Sequence, residues 1–112
     1  MPKSTRATPN AKPQEIGVLV GVQSPMTSTD IDADLDELEA LLSTAGANTI
    51  KRFTQNLAHP HPKYYIGKGK LQEIKTYVNE NNIDLVVLDD ELSASQIRNL
   101  ESELKDVKVL NR

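Results

Sequence analysis

Two short apolar runs constrain this chain more than anything else in it. They are Ile16-Gly17-Val18-Leu19-Val20-Gly21-Val22 and Ile83-Asp84-Leu85-Val86-Val87-Leu88. Apolar side chains stand at successive positions in both, so both faces of each segment must be covered. Central parallel strands read this way. Helical stripes lie between and after them. Ile31, Leu35, Leu38, Leu41, Leu42 and Ala45 form the first; Leu71, Ile74 and Val78, with Tyr77 beside them, form the second; Ile97, Leu100 and Leu104 form the third. Two weaker strands complete the set. One covers residues 48–57, where Lys51 and Arg52 mark an edge, and the other covers residues 107–110. The order β-α-β-α-β-α-β predicts an α/β fold with a four-stranded, mostly parallel sheet and right-handed crossovers. Three crossover helices cover both faces when the strand order is 2-1-3-4. The ligand crevice of such a sheet lies beyond the carboxyl ends of the strands, where the chain reverses between the first and third.

Local signals punctuate the elements. The first helix takes its N-cap from Asp30, Asp32 or Asp34, and Gly46 suits the left-handed position after its end. Gly17 and Gly21 share one face of the first strand, where a helix can pack closely. His59-Pro60-His61-Pro62 forbids regular structure. Asn81 or Asn82 ends the second helix, and Ser93 with Gln96 makes a capping box for the third.

At 112 residues there is room for one domain. Residues 1–14, with three prolines and no periodicity, read as a flexible tail, and residues 15–112 as the α/β domain. The absence of cysteine excludes disulfides, a thiol nucleophile and Cys-based metal sites. No apolar run is long enough to span a membrane and no secretory signal opens the chain, so the expected address is cytoplasmic. The net charge of −3 hides a strong asymmetry. Residues 30–39 carry Asp30, Asp32, Asp34, Asp36, Glu37 and Glu39 and no base. Residues 51–75 carry Lys51, Arg52, Lys63, Lys68, Lys70 and Lys75 against Glu73 alone. A basic stretch in an acidic chain is either an electrostatic footprint for phosphate or a solvated surface.

Gly67-Lys68-Gly69-Lys70 opens the second helix, and glycines there let backbone amides approach a phosphate. The stretch is neither a Walker A loop, since Leu71 follows Lys70, nor G-x-G-x-x-G, since Gln72 takes the third glycine's place. Lys63, Tyr64, Gly67, Lys68, Gly69 and Lys70 are therefore candidates for contact with RNA or nucleotide phosphate, Tyr64 by stacking as well. One of Tyr64 and Tyr65 is expected in the core. Asp89, Asp90 and Glu91 follow the strong strand. A magnesium-binding receiver site would need an acidic pair after the first strand, where Gln23-Ser24 stands. The three acids are assigned a structural role, one pairing with a cation such as Arg98. His59 and His61 lack a third ligand nearby, and no metal site is assigned. No catalytic constellation can be assembled.

Three stretches together resemble one family. They are Tyr65-Ile66-Gly67-Lys68-Gly69-Lys70, the run D-D-E-L-S-A-S-Q-I-R-N-L-E from Asp89 to Glu101, and Val107-Lys108-Val109-Leu110-Asn111-Arg112. Their order and spacing are similar to the N-terminal domain of HflX-type GTPases, over about residues 16–112. The run from Asp89 to Glu101 is the specific part. The resemblance implies a domain that precedes a helical hairpin and a GTPase domain, both absent from this chain. It implies GTP hydrolysis with Mg2+ in the whole protein, association with the rRNA of the large ribosomal subunit, and ribosome splitting. It assigns no cofactor to this chain. Three readings follow: a non-catalytic docking and regulatory domain that contacts rRNA or its own helical and GTPase domains; an independent ATP- or GTP-binding domain using the crevice and the Gly67–Lys70 loop; or a structural spacer.

Overall fold

The computed structural model describes residues 14–25 and 30–112. The expected tail and the end of the loop after the first strand lie outside the described residues. Seven elements follow in chain order: β1 (Glu15–Gln23), α1 (Ile31–Thr44), β2 (Ala47–Asn56), α2 (Lys68–Asn81), β3 (Leu85–Leu88), α3 (Ala94–Leu104) and β4 (Lys108–Asn111). The strands pair in the order β2-β1-β3-β4, and every pair is parallel. The expected fold class and strand order are both observed.

The two-residue period of β1 divides the core. Leu19 faces α1 and packs with Leu35, Leu38, Ala47, Leu85 and Val87. Val18 and Val20 face the other way, toward Leu71, Ile74 and Val78 of α2 and Leu100 and Leu104 of α3. One helix thus covers one face and two helices the other. Gly21 explains how α1 lies so close: a Cβ there would fall 2.7 Å from Cδ1 of Ile31. A Cβ at Gly17 would instead fall 3.1 Å from the side chain of Leu85 on the neighbouring strand, so only one of the two glycines serves the helix.

The acidic start of α1 has a local cause. Asp30 is the N-cap, and its Oδ1 accepts from the amides of Asp32 at 3.0 Å and Ala33 at 3.3 Å. Asp32 and Asp34 in the first turn favour the positive end of the helix dipole. Gly46 follows the helix with φ +97°, a conformation that glycine adopts freely. The apolar stripe is narrower than its spacing predicts, because Leu41 is 56% exposed. Among the described residues α1 is alone on its face, and that flank meets no neighbouring helix. Arg52 of the edge strand β2 pairs with Asp36 and Glu39, both at 2.6 Å, and ties α1 to the sheet margin.

On the other face, α2 ends at Asn82 in the left-handed region, with φ 52°. The capping box of α3 forms as expected. Ser93 Oγ accepts from the Gln96 amide at 3.1 Å, and the Ser93 amide donates to Gln96 Oε1 at 2.9 Å.

Candidate functional site

The segment between β2 and α2 folds into a closed turn. His61 and Tyr65 exchange backbone hydrogen bonds of 3.0 and 2.7 Å. The Nδ1 atom of His61 accepts from the amides of Lys63 at 3.1 Å and Tyr64 at 3.4 Å. That pattern assigns the ring proton to Nε2, which leaves no free lone pair for a metal. No group of three His, Asp or Glu able to hold a metal ion occurs among the described residues.

Helix α3 holds the turn in place. Gln96 Nε2 donates to the carbonyl of His61 at 3.1 Å, and Asn99 Nδ2 to the carbonyl of Lys63 at 3.0 Å. Two polar residues of the Asp89–Glu101 run are thus explained: they clamp a loop distant in sequence. Tyr65 occupies the left-handed region at φ 70°, unusual for a bulky residue. Its hydroxyl donates to Asp90 Oδ2. Burial, and secondly that bond, push the Tyr65 phenol well above its ordinary value.

Both tyrosines are buried, Tyr64 at 9% exposure and Tyr65 at 3%, where the sequence suggested one. Tyr64 packs beside the His61 ring, with centroids 5.7 Å apart, and Lys63 Nζ lies 5.3 Å from its ring centroid. Its face is covered rather than open to a base.

The glycine stretch is organised around Gln55. The Gly67 amide donates to Gln55 Oε1 at 2.9 Å, and a Cβ at Gly67 would lie 2.9 Å from Gln55 Nε2. A side chain here would displace the end of Gln55, and the Gly67 amide is already engaged. Lys70 pairs with Glu73 at 3.3 Å. The amides of Lys68, Gly69 and Lys70 open the helix, ahead of the first bond from Leu71 to the Gly67 carbonyl at 2.9 Å. Lys68 and Lys63 are exposed.

The crevice at the carboxyl ends of β1 and β3 is a cleft of about 580 Å³. Val22, Ile31, Asp34, Glu37, Asp89, Asp90, Glu91 and Arg112 line it. Arg112 spans the cleft: its Nε donates to Asp89, and its Nη2 to Glu37 Oε1 and to the Asp34 carbonyl, both at 3.1 Å. These bonds, the one to Asp89 foremost, hold the guanidinium above its ordinary pKa. The expected partner, Arg98, is not the one used. The β3–β4 register sets Leu88 beside Asn111, so Asp89 and Arg112 emerge side by side. The Asp89 side chain is 4% exposed and would be costly to leave uncompensated. Five carboxylates against one guanidinium repel a polyphosphate. Arg112 and Gln55 were not foreseen as organising residues. The signal for Arg112 lay in the strand register, and Gln55 carried none.

The candidate residues therefore separate into a basic end around Lys63 and Lys68 and an acidic crevice around Asp89. Comparison with known proteins places this architecture. Residues 32–112 match the family model described as GTP-binding GTPase N-terminal. A protein named GTPase HflX from Flavobacterium psychrophilum is 44% identical over 96 residues, 85% of this chain and 23% of that protein. Another of that name from Lacrimispora saccharolytica is 46% identical over 99 residues, 88% of this chain and 23% of that protein. The chain thus spans about a quarter of the length of these relatives. A crystal structure of a GTP-binding protein from Sulfolobus solfataricus in complex with GDP shares the fold, with a TM-score of 0.61 and 24% identity. That match covers 88% of this chain and 27% of that one. With the family model matched over 81 of its residues and relatives alike across the same region, the chain belongs to the GTP-binding GTPase N-terminal family, as an N-terminal domain of the HflX type.

Proposed function

We propose that this domain is a non-catalytic docking and regulatory module of an HflX-type GTPase, joining the large ribosomal subunit through rRNA phosphate at its basic end. The whole protein hydrolyses GTP with Mg2+ in the cytoplasm and splits ribosomes, and neither GTP nor Mg2+ is assigned to residues of this chain. One observation carries the reading: Lys63 and Lys68 stand exposed on a turn and a helix start that α3 and Gln55 hold rigidly. Among the described residues neither lysine is in an ion pair, so meeting phosphate breaks none, and binding releases counterions. The acidic crevice argues for this reading over nucleotide binding by the domain itself. Contact with the helical and GTPase domains is the regulatory half of the proposal.

Cosedimentation with large ribosomal subunits tests it. The chain is expected to pellet, less so as salt rises, and a variant with Lys63, Lys68 and Lys70 changed to Glu is expected to stay in solution. If neither pellets, the docking reading is wrong, and ribosome affinity resides elsewhere in the protein.

A further inference from the structure

The basic end holds one cation that the reading above has not used. Lys70 is paired with Glu73, and Lys75 with Glu103 at 3.9 Å. Arg112 and Tyr65 engage Asp89 and Asp90, two of the three acids of which one was expected to pair with a cation such as Arg98. Arg98 is exposed and makes no ion pair or side-chain hydrogen bond among the described residues. Glu101, three residues on and well placed for an intrahelical pair, does not form one with it.

Arg98 is held beside the turn. The side chain of the next residue, Asn99, donates through Nδ2 to the Lys63 carbonyl at 3.0 Å, which ties the turn to α3 one position from Arg98. Helices α2 and α3 lie on the same sheet face, and both start from the carboxyl ends of the parallel strands. Lys68, the first residue of α2, therefore stands at the same end. The large apolar residues that are exposed, Leu41, Ile50 and Leu110, belong to α1, β2 and β4. None belongs to α3, α2 or the turn, so this face lacks the apolar anchors on which protein interfaces depend.

We propose that Arg98, with Lys63 and Lys68, forms a phosphate-backbone contact face for RNA, and that Arg98 supplies the guanidinium of that face. The proposal rests on the docking reading and names a contact outside the glycine stretch. Arginine suits the role because its planar fork can engage two phosphate oxygens at once.

The test is fluorescence anisotropy of the chain with a single-stranded uridine RNA of about 20 nucleotides, across a salt series. Arg98→Ala is expected to weaken binding about threefold to tenfold and to reduce the salt slope by about 0.7, the loss of one phosphate contact. Arg98→Lys is expected to restore the slope but only part of the affinity. If Arg98→Ala binds as the parent does while Lys63→Glu with Lys68→Glu abolishes binding, the docking reading survives and the Arg98 proposal falls. If the unaltered chain does not bind the RNA, both fall. If poly-glutamate binds as well as RNA and loses as much on Arg98→Ala, the face belongs to an acidic protein and the RNA proposal is overturned.

Discussion

Replacing Tyr65 with Phe removes one hydroxyl and leaves the ring, which is 3% exposed, to pack as before. The hydroxyl donates to the Asp90 carboxylate, so a charge-assisted hydrogen bond is lost. Such bonds are worth about 1.5–3 kcal/mol when both groups are dry. Asp90 is exposed, and water can replace the hydroxyl, so the expected loss is about 1–2 kcal/mol. For a domain of this size that lowers Tm by roughly 4–16 °C. Urea unfolding of the parent, Tyr65→Phe, Asp90→Asn and the double variant should give a coupling of about 1 kcal/mol or more. The alkaline limb supplies an independent sign. The folded-state pKa of Tyr65 is raised above the ordinary phenol value of about 10, first by burial and then by the Asp90 bond. A raised value means that this contribution is complete below about pH 10 and is lost as pH rises beyond it. There the unfolded chain releases a proton that the native one keeps. The parent should therefore lose stability about 1.4 kcal/mol per pH unit more steeply than Tyr65→Phe. Additive single losses together with parallel alkaline slopes would refute the assignment of this bond as a stabilising link.

Three further outcomes are expected. Gly21→Ala places a methyl 2.7 Å from Ile31 Cδ1 and should cost about 1–3 kcal/mol by thermal unfolding, a loss that Ile31→Val reduces by deleting that atom. Arg112→Ala should cost about 1–3 kcal/mol, intermediate between a surface and a buried pair, because its own side chain is 34% exposed while that of Asp89 is 4% exposed; adding Asp89→Asn should recover much of it. Asn99→Ala breaks the bond to the Lys63 carbonyl and should speed hydrogen exchange at the Tyr65 amide, now bonded to His61 at 2.7 Å, while leaving the amides of β3 protected. Unchanged exchange at Tyr65 would show that Gln96 alone clamps the turn.

The two adjacent aspartates after β3 connect sites on opposite sides of the sheet. Asp89 reaches Arg112 and, through it, the acidic helix α1, while Asp90 reaches Tyr65 and the turn beneath the basic end. Neither carboxylate needs a metal to account for its place.

The amino-acid sequence by itself determined the alternation of strands and helices, the order of the sheet, the capping box at Ser93 and the left-handed stop at Gly46. The elements and their stops are local matters of apolar periodicity, of a side chain meeting a nearby backbone amide or of glycine's backbone freedom, and the order follows from right-handed crossovers and the need to cover both faces of the sheet. Only the tertiary structure decided what the polar residues do. Arg112, and not Arg98, pairs with the acidic loop, at Asp89, because the β3–β4 register sets the two strand ends side by side. Gln55 took the amide of Gly67, and Gln96 and Asn99 took the carbonyls of His61 and Lys63. These partners lie 12 to 36 residues apart in the chain. Hydrogen bonding is short-ranged and directional, so partners distant in sequence are chosen by how the backbone brings them together, which residue type and spacing do not encode.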